Sequence, residues 1–450
     1  MSSPTYQVID PSTGEVEETF DHASDEEVEA AVAAASSAYV AWRDVAMSER
    51  AVIVKKVAAL FAERADELAE IARKEMGKPT SEGVEEAEFC QAIFDYFADE
   101  GPTLTADQEI KGISGGKAIV QRLPIGPLLG IMPWNFPFYQ IARFAAPNLM
   151  LGNTIILKHA ESVPRSALAV EQIIKDAGLP EGVYVNLFAT FDQIETVIAD
   201  PRIQGVSLTG SERAGSVVAS HAGKHLKKCV LELGGSDPMV VLDTDDLDGL
   251  VGDAWDYRTY NTGQACNSNK RMIVHEDVYD DFVAKITEKA KAVESPSPLS
   301  SRKAAELLDE QVQDAVSKGA TLHAGGVLGE GSAAFYSPAV LTGITKEMRA
   351  YAEELFGPVA VVYKVGSDDE ALELANDTTY GLGGSVFSKD AARAEKVAQR
   401  LEVGMANVNT TAGEGAEIPF GGVKRSGFGR ELGPLGMDEF VNKRMYYVSD

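Results

Sequence analysis

Short apolar segments alternate with longer helical segments from Leu128 to Phe387. This alternation is typical of a parallel, doubly wound α/β sheet, because parallel strands are joined by helical crossovers. The pattern restarts after Gly235, so we predict two α/β lobes that meet at residues 232–235. Strands are predicted at 128–131, 154–157, 184–187, 206–208, 228–231, 239–242, 271–274, 359–363 and 385–387. Helices are predicted between them at 165–177, 192–199, 213–222, 247–260, 279–293 and 369–376.

The residues before this alternation favour helices. Ser24 and Glu27 have the spacing of a capping box, and an alanine-rich helix is predicted to follow them. A second helix with an apolar stripe is predicted from Ser48 to just before Gly77, and a third over 84–97. Residues 295–301 (SPSPLSS) form the one stretch with the composition of a linker.

The net charge of the chain restricts the kinds of partner that it can bind. The 450 residues include 69 Asp and Glu against 41 Lys and Arg, for a formal net charge of −28. Nucleic acid and anionic membranes repel such a polyanion, and no apolar run approaches the roughly 20 residues of a membrane span. We therefore predict neither partner. The dispersed acids favour a salt-adapted, halophilic source, because salt screens their repulsion; an ordinary acidic enzyme is the alternative.

The cysteine count and the first thirty residues bear on location. Three cysteines cannot form a disulfide framework, which favours a reducing compartment. The first thirty residues are acidic, which does not fit a signal or transit peptide. We therefore predict a cytoplasmic protein.

Cys266 is the leading candidate for a catalytic nucleophile. It lies in Asn-Thr-Gly-Gln-Ala-Cys-Asn (261–267), where small and polar residues suit close approach by a substrate. A free thiol has a pKa of about 8.5, so a reactive one needs a cation, a dipole or a helix N-terminus nearby. The alternative is a buried, inert cysteine, which Cys90 and Cys229 fit well.

Two other residues complete the parts that covalent chemistry on a carbonyl group requires. Glu232 ends an apolar segment before two glycines and is a candidate general base, a role that partial burial favours by raising the pKa. Asn135, between two prolines and two aromatics, is a candidate donor to an oxyanion. As alternatives, Glu232 could pair with a lysine or a helix N-terminus, and Asn135 could cap a helix after Pro137.

Residues 208–215 (LTGSERAG) lie where a strand is predicted to pass into a helix. Backbone N–H groups at such a position can bind a pyrophosphate. The glycine spacing matches neither the dinucleotide fingerprint nor the Walker loop, so this signal is weak alone. His221 and His225 have the spacing of a zinc pair, but Ala222 replaces the expected glutamate. We therefore predict a solvated helix face there and no metal.

Together these segments resemble the aldehyde dehydrogenase superfamily over essentially the whole chain. Seven motifs in a consistent order carry the resemblance, which makes a chance match improbable. They are MPWNFP at 132–137, Gly152-Asn153 leading to Lys158, LTGS at 208–211, LELGG at 231–235, NTGQAC at 261–266, EELFGPV at 353–359 and PFGGVKRSGFGREL at 419–432.

The resemblance implies a mechanism. Cys266 would add to the aldehyde as a thiohemiacetal, with Asn135 and the Cys266 backbone N–H as the oxyanion hole. Hydride transfer to the nicotinamide would leave a thioester, and Glu232 would activate the water that releases the acid. Members that transfer the acyl group to coenzyme A commonly lack this glutamate, so a free acid is expected. Glu431 would be a second carboxylate near the water channel.

The resemblance also implies the cofactor contacts. Trp134 would line the cofactor cleft, Gly210 and Ser211 would meet the pyrophosphate, and Phe356 would lie beside the nicotinamide ribose. The ribose contacts would be Lys158 and Glu161 on the adenosine side and Glu354 on the nicotinamide side. A carboxylate at Glu161 accepts a hydrogen bond from a 2′-hydroxyl and repels a 2′-phosphate. We therefore predict NAD, with NADP as the alternative.

Within the superfamily the chain resembles the succinate-semialdehyde dehydrogenase branch. Lys158-His159-Ala160, LGGSDP at 233–238 and Lys270-Arg271 carry this match. A substrate with a distal carboxylate needs a cation, and Arg143 is our hypothesis for it. Phe144 stands where many members carry a lysine, which puts that lysine's role in doubt. The alternatives are an enzyme for simple aliphatic or aromatic aldehydes, a catalytically silent member and a cofactor-independent thiol hydrolase or acyltransferase.

The resemblance implies a domain organisation and an assembly. Residues 1–109 and 125–234 would form a Rossmann-like NAD-binding domain, and residues 235–425 the catalytic domain. Residues 110–124 and 426–450 would form a small β arm that adds strands to a neighbouring subunit, giving a homodimer or homotetramer.

Overall fold

The computed structural model describes residues 4–112 and 115–450. Its N-terminal half is built, in chain order, from β1 (Tyr6–Asp10), β2 (Glu15–Phe20), α1 (Asp25–Trp42), α2 (Met47–Glu63), α3 (Ala65–Met76), α4 (Thr80–Leu104), β3 (Gln108–Glu109), β4 (Gly116–Pro124), β5 (Pro127–Met132), α5 (Tyr139–Leu151), β6 (Thr154–His159), α6 (Pro164–Asp176), β7 (Tyr184–Asn186), α7 (Phe191–Ala199), β8 (Gly205–Thr209), α8 (Glu212–Lys224) and β9 (Lys228–Glu232).

The C-terminal half begins with β10 and also contains two short 3₁₀ turns, Tyr260–Gly263 and Lys424–Ser426. Its helices and strands are β10 (Pro238–Val241), α9 (Leu247–Thr259), β11 (Arg271–His275), α10 (Glu276–Lys291), α11 (Arg302–Ser317), β12 (Thr321–Ala324), β13 (Ala339–Thr342), α12 (Arg349–Ala352), β14 (Val359–Val365), α13 (Asp368–Asn376), β15 (Gly383–Phe387), α14 (Ala391–Ala398), β16 (Met405–Val408), β17 (Gly427–Phe428), α15 (Gly433–Met437) and β18 (Val441–Ser449).

Two mostly parallel sheets confirm the doubly wound α/β prediction. The first has the order β17-β9-β8-β5-β6-β7, and only β17 runs antiparallel to its neighbour. The second has the order β12-β13-β14-β11-β10-β15-β16, and only β12 is antiparallel. The chain leaves the first sheet at Glu232 and enters the second at Pro238. The predicted meeting point at 232–235 therefore lies between the two sheets.

The capping box at the start of α1 is confirmed, since Ser24 Oγ accepts the Glu27 N–H and Glu27 Oε2 accepts the Ser24 N–H. The single helix predicted from Ser48 is wrong: it is two helices, α2 and α3, that break at Arg64. No glycine or proline marks this break in the sequence, because Arg64 ends α2 with a φ of −104° that any residue can adopt.

The linker predicted at 295–301 is also wrong, because the segment packs against the protein. Leu299 is fully buried, the Ser300 N–H donates to Gln264 Oε1 at 2.8 Å, and Ser301 caps α11. Tertiary contacts therefore order a stretch whose composition alone indicates flexibility. Several elements carry too little local pattern for the sequence to predict them: β1, β2, α11, β12, β13, α14 and β16.

A third sheet has the order β18-β4-β3. β18 pairs with β4 over nine residues, and its side chains from Met445 to Val448 are 44 to 62% exposed. The strands predicted for the arm are therefore present, although residues 113 and 114 of this segment lie outside the described residues. β17, which the predicted boundaries place with the arm, adds instead to the first sheet. The remaining domain boundaries stay a prediction.

Among the described residues, no helix combines the length and apolar character that a membrane crossing requires. Within the same ranges, no three His, Cys, Asp or Glu side chains are grouped so that they could hold a metal ion. His221 Nε2 lies 3.0 Å from the Glu195 carboxylate.

Candidate active site

The candidate active site is a cleft of about 260 Å³ between the two sheets. It lies beyond the carboxyl end of β5 and against the first residues of β10 and β15, Pro238 and Gly383. Cys266 lines it together with the aromatic side chains of Phe89, Phe136, Tyr139, Tyr257, Tyr260 and Phe420. The carboxylates of the lining belong to Glu85, Glu86, Asp237 and Glu414, and none of the lining residues is Lys or Arg in the part of the chain that is described.

A tight turn presents Cys266 to this cleft. Asn261, Thr262 and Gly263 have φ values of 52°, 56° and 75°, so three consecutive residues adopt the left-handed conformation. The Lys270 ammonium then donates to the backbone carbonyls of Ala265 and Cys266, at 2.7 and 2.8 Å. The segment that carries Cys266 is therefore fixed by the 261–263 turn before it and by the Lys270 hydrogen bonds after it.

Gly235 allows the backbone of the LELGG motif to pack directly against the segment that carries Cys266. A Cβ added at Gly235 would lie 2.4 Å from the Cys266 carbonyl oxygen, so only glycine permits this approach of the two backbones. This contact joins the segment that follows Glu232 to the segment that carries Cys266.

The Cys266 thiol is protonated at neutral pH in this state. Burial raises the pKa of Cys266 to about 12, while the positive charges of Arg143 and Lys270 act in the opposite direction. Attack on a carbonyl group therefore requires a group that takes the thiol proton.

Asn135 is placed beside the cysteine segment by reciprocal hydrogen bonds. Its Nδ2 donates to the Gln264 carbonyl at 3.0 Å, and its own carbonyl accepts from Asn261 Nδ2 at 2.7 Å. An amide nitrogen has two hydrogens, so one N–H of Asn135 remains for an oxyanion. Asn135 does not cap α5, whose N-cap is Phe138.

His159 supports the segment that carries Asn135. Its Nε2 lies 2.8 Å from the Pro137 carbonyl, and its Nδ1 accepts the Ala160 N–H at 2.9 Å. Burial lowers the pKa of His159 to about 4, so the ring is neutral and its Nε2–H donates to Pro137. The sequence marks His159 only through the Lys158-His159-Ala160 match, whereas its hydrogen bond to the Pro137 carbonyl shows that it supports the 132–137 loop.

Glu232 is buried at the end of β9, opposite Thr209 of β8. Among the described residues, neither carboxylate oxygen has a hydrogen-bond partner, and Oε1 lies against Gly421. Burial raises the pKa of Glu232 well above its usual value, and the positive charge of Arg143 opposes this shift. The carboxylate does not line the Cys266 cleft in this conformation, and it would have to turn away from Gly421 to meet a substrate there.

Arg143 lies behind the cleft wall and is fully buried. Its guanidinium forms an ion pair with Glu431, donates to Thr209 Oγ1 at 3.1 Å, and packs on the rings of Tyr139 and Phe420 at 5.0 and 4.5 Å. Both rings line the cleft, but Arg143 itself does not. Its predicted contact with a substrate carboxylate stays a prediction that requires one of these rings to move.

The predicted adenosine-side contacts lie at the carboxyl edge of the first sheet. Lys158, near the end of β6, forms an ion pair with Glu161 at 2.5 Å, and burial lowers the pKa of Lys158. Gly210 and Ser211 follow β8, where Ser211 is the N-cap of α8. A Cβ added at Gly210 would contact only Leu208, at 3.7 Å, so the backbone there is open to a ligand. These features fit a dinucleotide on a helix N-terminus.

The predicted nicotinamide-side contacts lie at the junction of the lobes. Glu354 accepts the Gly235 N–H at 3.1 Å and pairs with Lys270 at 3.1 Å. The rings of Trp134 and Phe356 are 5.8 Å apart and perpendicular, with both side chains half-buried. The predicted contacts therefore form two groups, one at the carboxyl ends of β6 and β8 and one at the junction of the lobes, and both fit a dinucleotide.

Arg258 is a buried cation of the site that no motif in the sequence marks. Arg258 is fully buried and donates to the carbonyls of Leu355, Gly357 and Val359, while its Nη1 reaches the Gly263 carbonyl and Ser268 Oγ. It joins the nucleophile turn to the segment that carries Glu354. Arg258 lies on α9 outside any recognisable motif, so the sequence alone does not predict its role.

Residues 1–446 match the model of the aldehyde dehydrogenase family, and the chain belongs to that family. It is an NAD(P)-dependent oxidoreductase of aldehydes.

Individual relatives span the whole chain. A Deinococcus radiodurans protein named succinate-semialdehyde dehydrogenase [NADP(+)] is 51% identical over 449 residues, which cover 98% of this chain and 94% of that protein. The crystal structure of succinic semialdehyde dehydrogenase from Streptococcus pyogenes with NADP+ has a TM-score of 0.96 at 40% identity and covers 99% of this chain and 100% of its own. The NAD+ complex of a Bacillus cereus aldehyde dehydrogenase has a TM-score of 0.95 at 31% identity, covering 99% and 93%.

These findings confirm the family, the fold class and the use of NAD(P) that the sequence predicts. The roles of individual residues, the choice between NAD and NADP, the cytoplasmic location and the halophilic source stay predictions.

Proposed function

We propose that Cys266 attacks the aldehyde carbon and that the product is the free carboxylic acid. The placement of Cys266 on a braced turn at the wall of the cleft carries this proposal. The thiol gives its proton to water as the sulfur bonds to the carbonyl carbon, and loss of hydride from that carbon of the thiohemiacetal anion leaves a thioester on Cys266. The oxidised nicotinamide of a bound NAD(P) supplies the hydride acceptor.

The free N–H of Asn135 and the backbone N–H of Cys266 stabilise the oxyanion that forms in each half of the reaction. Preorganised donors of this kind are worth about 10²–10³-fold in rate. The bond from Asn135 Nδ2 to the Gln264 carbonyl fixes the direction of the amide before a substrate arrives.

Glu232 acts as the base for the water that hydrolyses the thioester. Its burial and its two unpartnered oxygens support this role, because such a carboxylate accepts a proton more readily than an exposed one. Rotation away from Gly421 brings the carboxylate toward Cys266. Hydrolysis passes the sulfur its proton and releases the acid.

We propose NAD as the preferred cofactor, because Glu161 pairs with Lys158, the other residue predicted to contact the adenosine ribose. A 2′-phosphate would meet the charge of Glu161, whereas a 2′-hydroxyl would donate to it. The Deinococcus relative is named for NADP(+), whereas we propose NAD for this chain. Measuring the cofactor preference therefore tests the role proposed for Glu161.

Replacing Glu161 by glutamine should remove this repulsion while keeping the size of the side chain. We expect KM for NADP to fall about tenfold, since each tenfold change corresponds to about 1.4 kcal/mol, and KM for NAD to rise. Initial rates with both cofactors at saturating aldehyde measure the ratio. Glu195→Gln, on the exposed side of α7, is the matched control. An unchanged preference would assign cofactor choice to other residues.

For the substrate we propose succinate semialdehyde. The 51% identity with the Deinococcus relative over nearly the whole chain supports it. The guanidinium of Arg143, directly behind Tyr139 and Phe420, offers positive charge close to a distal carboxylate.

The lining of the cleft favours a second candidate, oxidation of neutral aliphatic or aromatic aldehydes. Its aromatic rings suit an apolar substrate, and its carboxylates at Asp237 and Glu414 do not attract an anion. Burial raises the pKa of Asp237 to about 7, so this group carries only part of its charge at neutral pH.

NADH formation at 340 nm with succinate semialdehyde, hexanal and benzaldehyde, at low and high potassium chloride, separates the two candidates. A kcat/KM at least tenfold higher for the semialdehyde supports the first. Similar values for all three support the second and leave the thioester chemistry intact. No turnover at any salt concentration, with NAD still bound, would mean a catalytically silent member.

We also propose that the β18-β4-β3 sheet is an assembly arm. The exposed apolar and aromatic side chains along β18 support it, because an exposed strand of this kind is a template for a second chain. Multi-angle light scattering should give a dimer or a tetramer, and a monomer at micromolar concentration would overturn the proposal.

A further inference from the structure

Helix α4 places three glutamates on one face, beside the segments that carry Cys266 and Asn135. Glu82, Glu85 and Glu86 stand at i, i+3 and i+4, a spacing that aligns side chains on a helix. Glu82 Oε2 accepts the Asn261 N–H at 2.6 Å, and Glu85 accepts the Tyr260 hydroxyl at 3.3 Å. This helix belongs to the first lobe in sequence, yet it holds the nucleophile turn of the second.

Glu86 holds the other catalytic segment. Its Oε1 accepts the N–H groups of Phe138 and Tyr139, at 2.8 and 2.9 Å, where the chain leaves Asn135 and enters α5. Its Oε2 pairs with Lys78, and both side chains of this pair are fully buried. The charge of Lys78 is therefore committed to Glu86 and is not the main partner of Glu82.

The turn that Glu82 contacts needs external support. Asn261 and Thr262 carry a Cβ in the left-handed conformation, which residues other than glycine adopt only when their surroundings favour it. The Asn261 N–H has its acceptor in Glu82, and Asn261 Nδ2 donates to the Asn135 carbonyl. Loss of the Glu82 contact would free the residue that joins the nucleophile turn to the oxyanion amide.

We propose that Glu82 is a positioning residue whose ionised carboxylate holds the Asn261–Gly263 turn and thereby sets the reactivity of Cys266. The proposal rests on the role of Cys266 proposed above. Glu82 does not touch the substrate cleft and acts through the backbone of the turn. A charged acceptor binds an N–H more strongly than a neutral one, so protonation of Glu82 loosens the turn.

This role has a pH dependence with a defined sign. Burial raises the pKa of Glu82 to about 7; the Asn261 N–H and the charge of Lys78 act in the opposite direction, and Glu85 adds to the rise. The carboxylate is therefore ionised above about pH 7 and becomes neutral below it, so Cys266 reactivity should fall as the pH drops through 7. Burial raises the pKa of Asp237 in the cleft to about 7 as well, so only the difference between variant and wild type reports on Glu82.

The test is the rate of Cys266 alkylation by iodoacetamide, measured from pH 5.5 to 9 with NADH formation in parallel. For Glu82→Gln we expect a roughly tenfold slower alkylation at pH 8, a similar loss of kcat/KM, and a weaker pH dependence near 7. KM for NAD should not change. Glu82→Asp keeps the carboxylate charge, but its side chain is too short to reach the Asn261 N–H. The alkylation rate of this variant should therefore fall while its pH dependence remains.

The matched control is Glu88→Gln, an exposed glutamate on the same helix, which should match wild type. An alkylation rate for Glu82→Gln within twofold of wild type, or equal losses in the Glu82 and Glu88 variants, would overturn the proposal. Should Cys266→Ala retain NADH formation, the nucleophile assignment fails instead, and the alkylation data still report on the turn.

Discussion

Replacing Cys266 by alanine is expected to lower kcat for NADH formation by about 10⁴-fold or more, since no other group can form the thiohemiacetal and the thioester. The change removes one partly buried sulfur from the wall of an open cleft, so the fold should persist. NADH formation at 340 nm and NAD binding by fluorescence titration measure the two quantities separately, and binding should be retained.

The control for this prediction is Cys229→Ala. Cys229 lies partly buried in β9, outside the lining of the cleft, and its pKa is raised by burial to about 12. This variant should keep activity within about twofold of wild type, because it removes a thiol without touching the reacting atoms. Activity of the Cys266 variant within tenfold of wild type would exclude a covalent role for that thiol.

Replacing Glu232 by glutamine is expected to separate the two halves of the reaction. The thioester should still form, giving a burst of one NADH per active site, and the steady-state rate should then fall by about 10²–10⁴-fold. Glutamine keeps the size of the side chain but cannot take a proton from water. Rapid mixing resolves the burst, and mass spectrometry of the quenched enzyme identifies the acyl group on Cys266.

The pH dependence of this step has a sign that follows from the burial of Glu232. Its pKa is raised, and a base acts only in its ionised form, so the wild-type rate of hydrolysis should fall on acidification at a higher pH than for an ordinary glutamate. Hydroxylamine, which needs no base to attack a thioester, should restore turnover to the glutamine variant. A slow steady state without a burst would instead place Glu232 in the formation of the thioester.

The sequence predicts the sheets well because each strand is a local apolar pattern between turn residues. The strands over 128–131, 154–157 and 206–208 lie within β5, β6 and β8 as observed. A glycine requirement can also be seen in the sequence: Gly235 ends LELGG, and its close approach to the Cys266 carbonyl demands glycine there.

Contacts between distant residues are a different case. Glu82 and Asn261 are 179 positions apart, and nothing near either residue marks the pair. Arg143 is likewise an isolated cation in the sequence, whereas the fold pairs it with Glu431 and buries it behind Tyr139 and Phe420. Its environment depends on how α5 packs against the C-terminal segment, which no local pattern encodes.

The carboxylates that line the cleft have a consequence for the end of the catalytic cycle. Oxidation adds one negative charge to a molecule bound in the cleft that Asp237 and Glu414 help to line, because an aldehyde enters and a carboxylate leaves. Repulsion grows with that charge, so the acid is held less tightly than the aldehyde that gave rise to it. We therefore expect weak product inhibition. Added salt screens this repulsion. The rate of product release should therefore fall as the ionic strength rises.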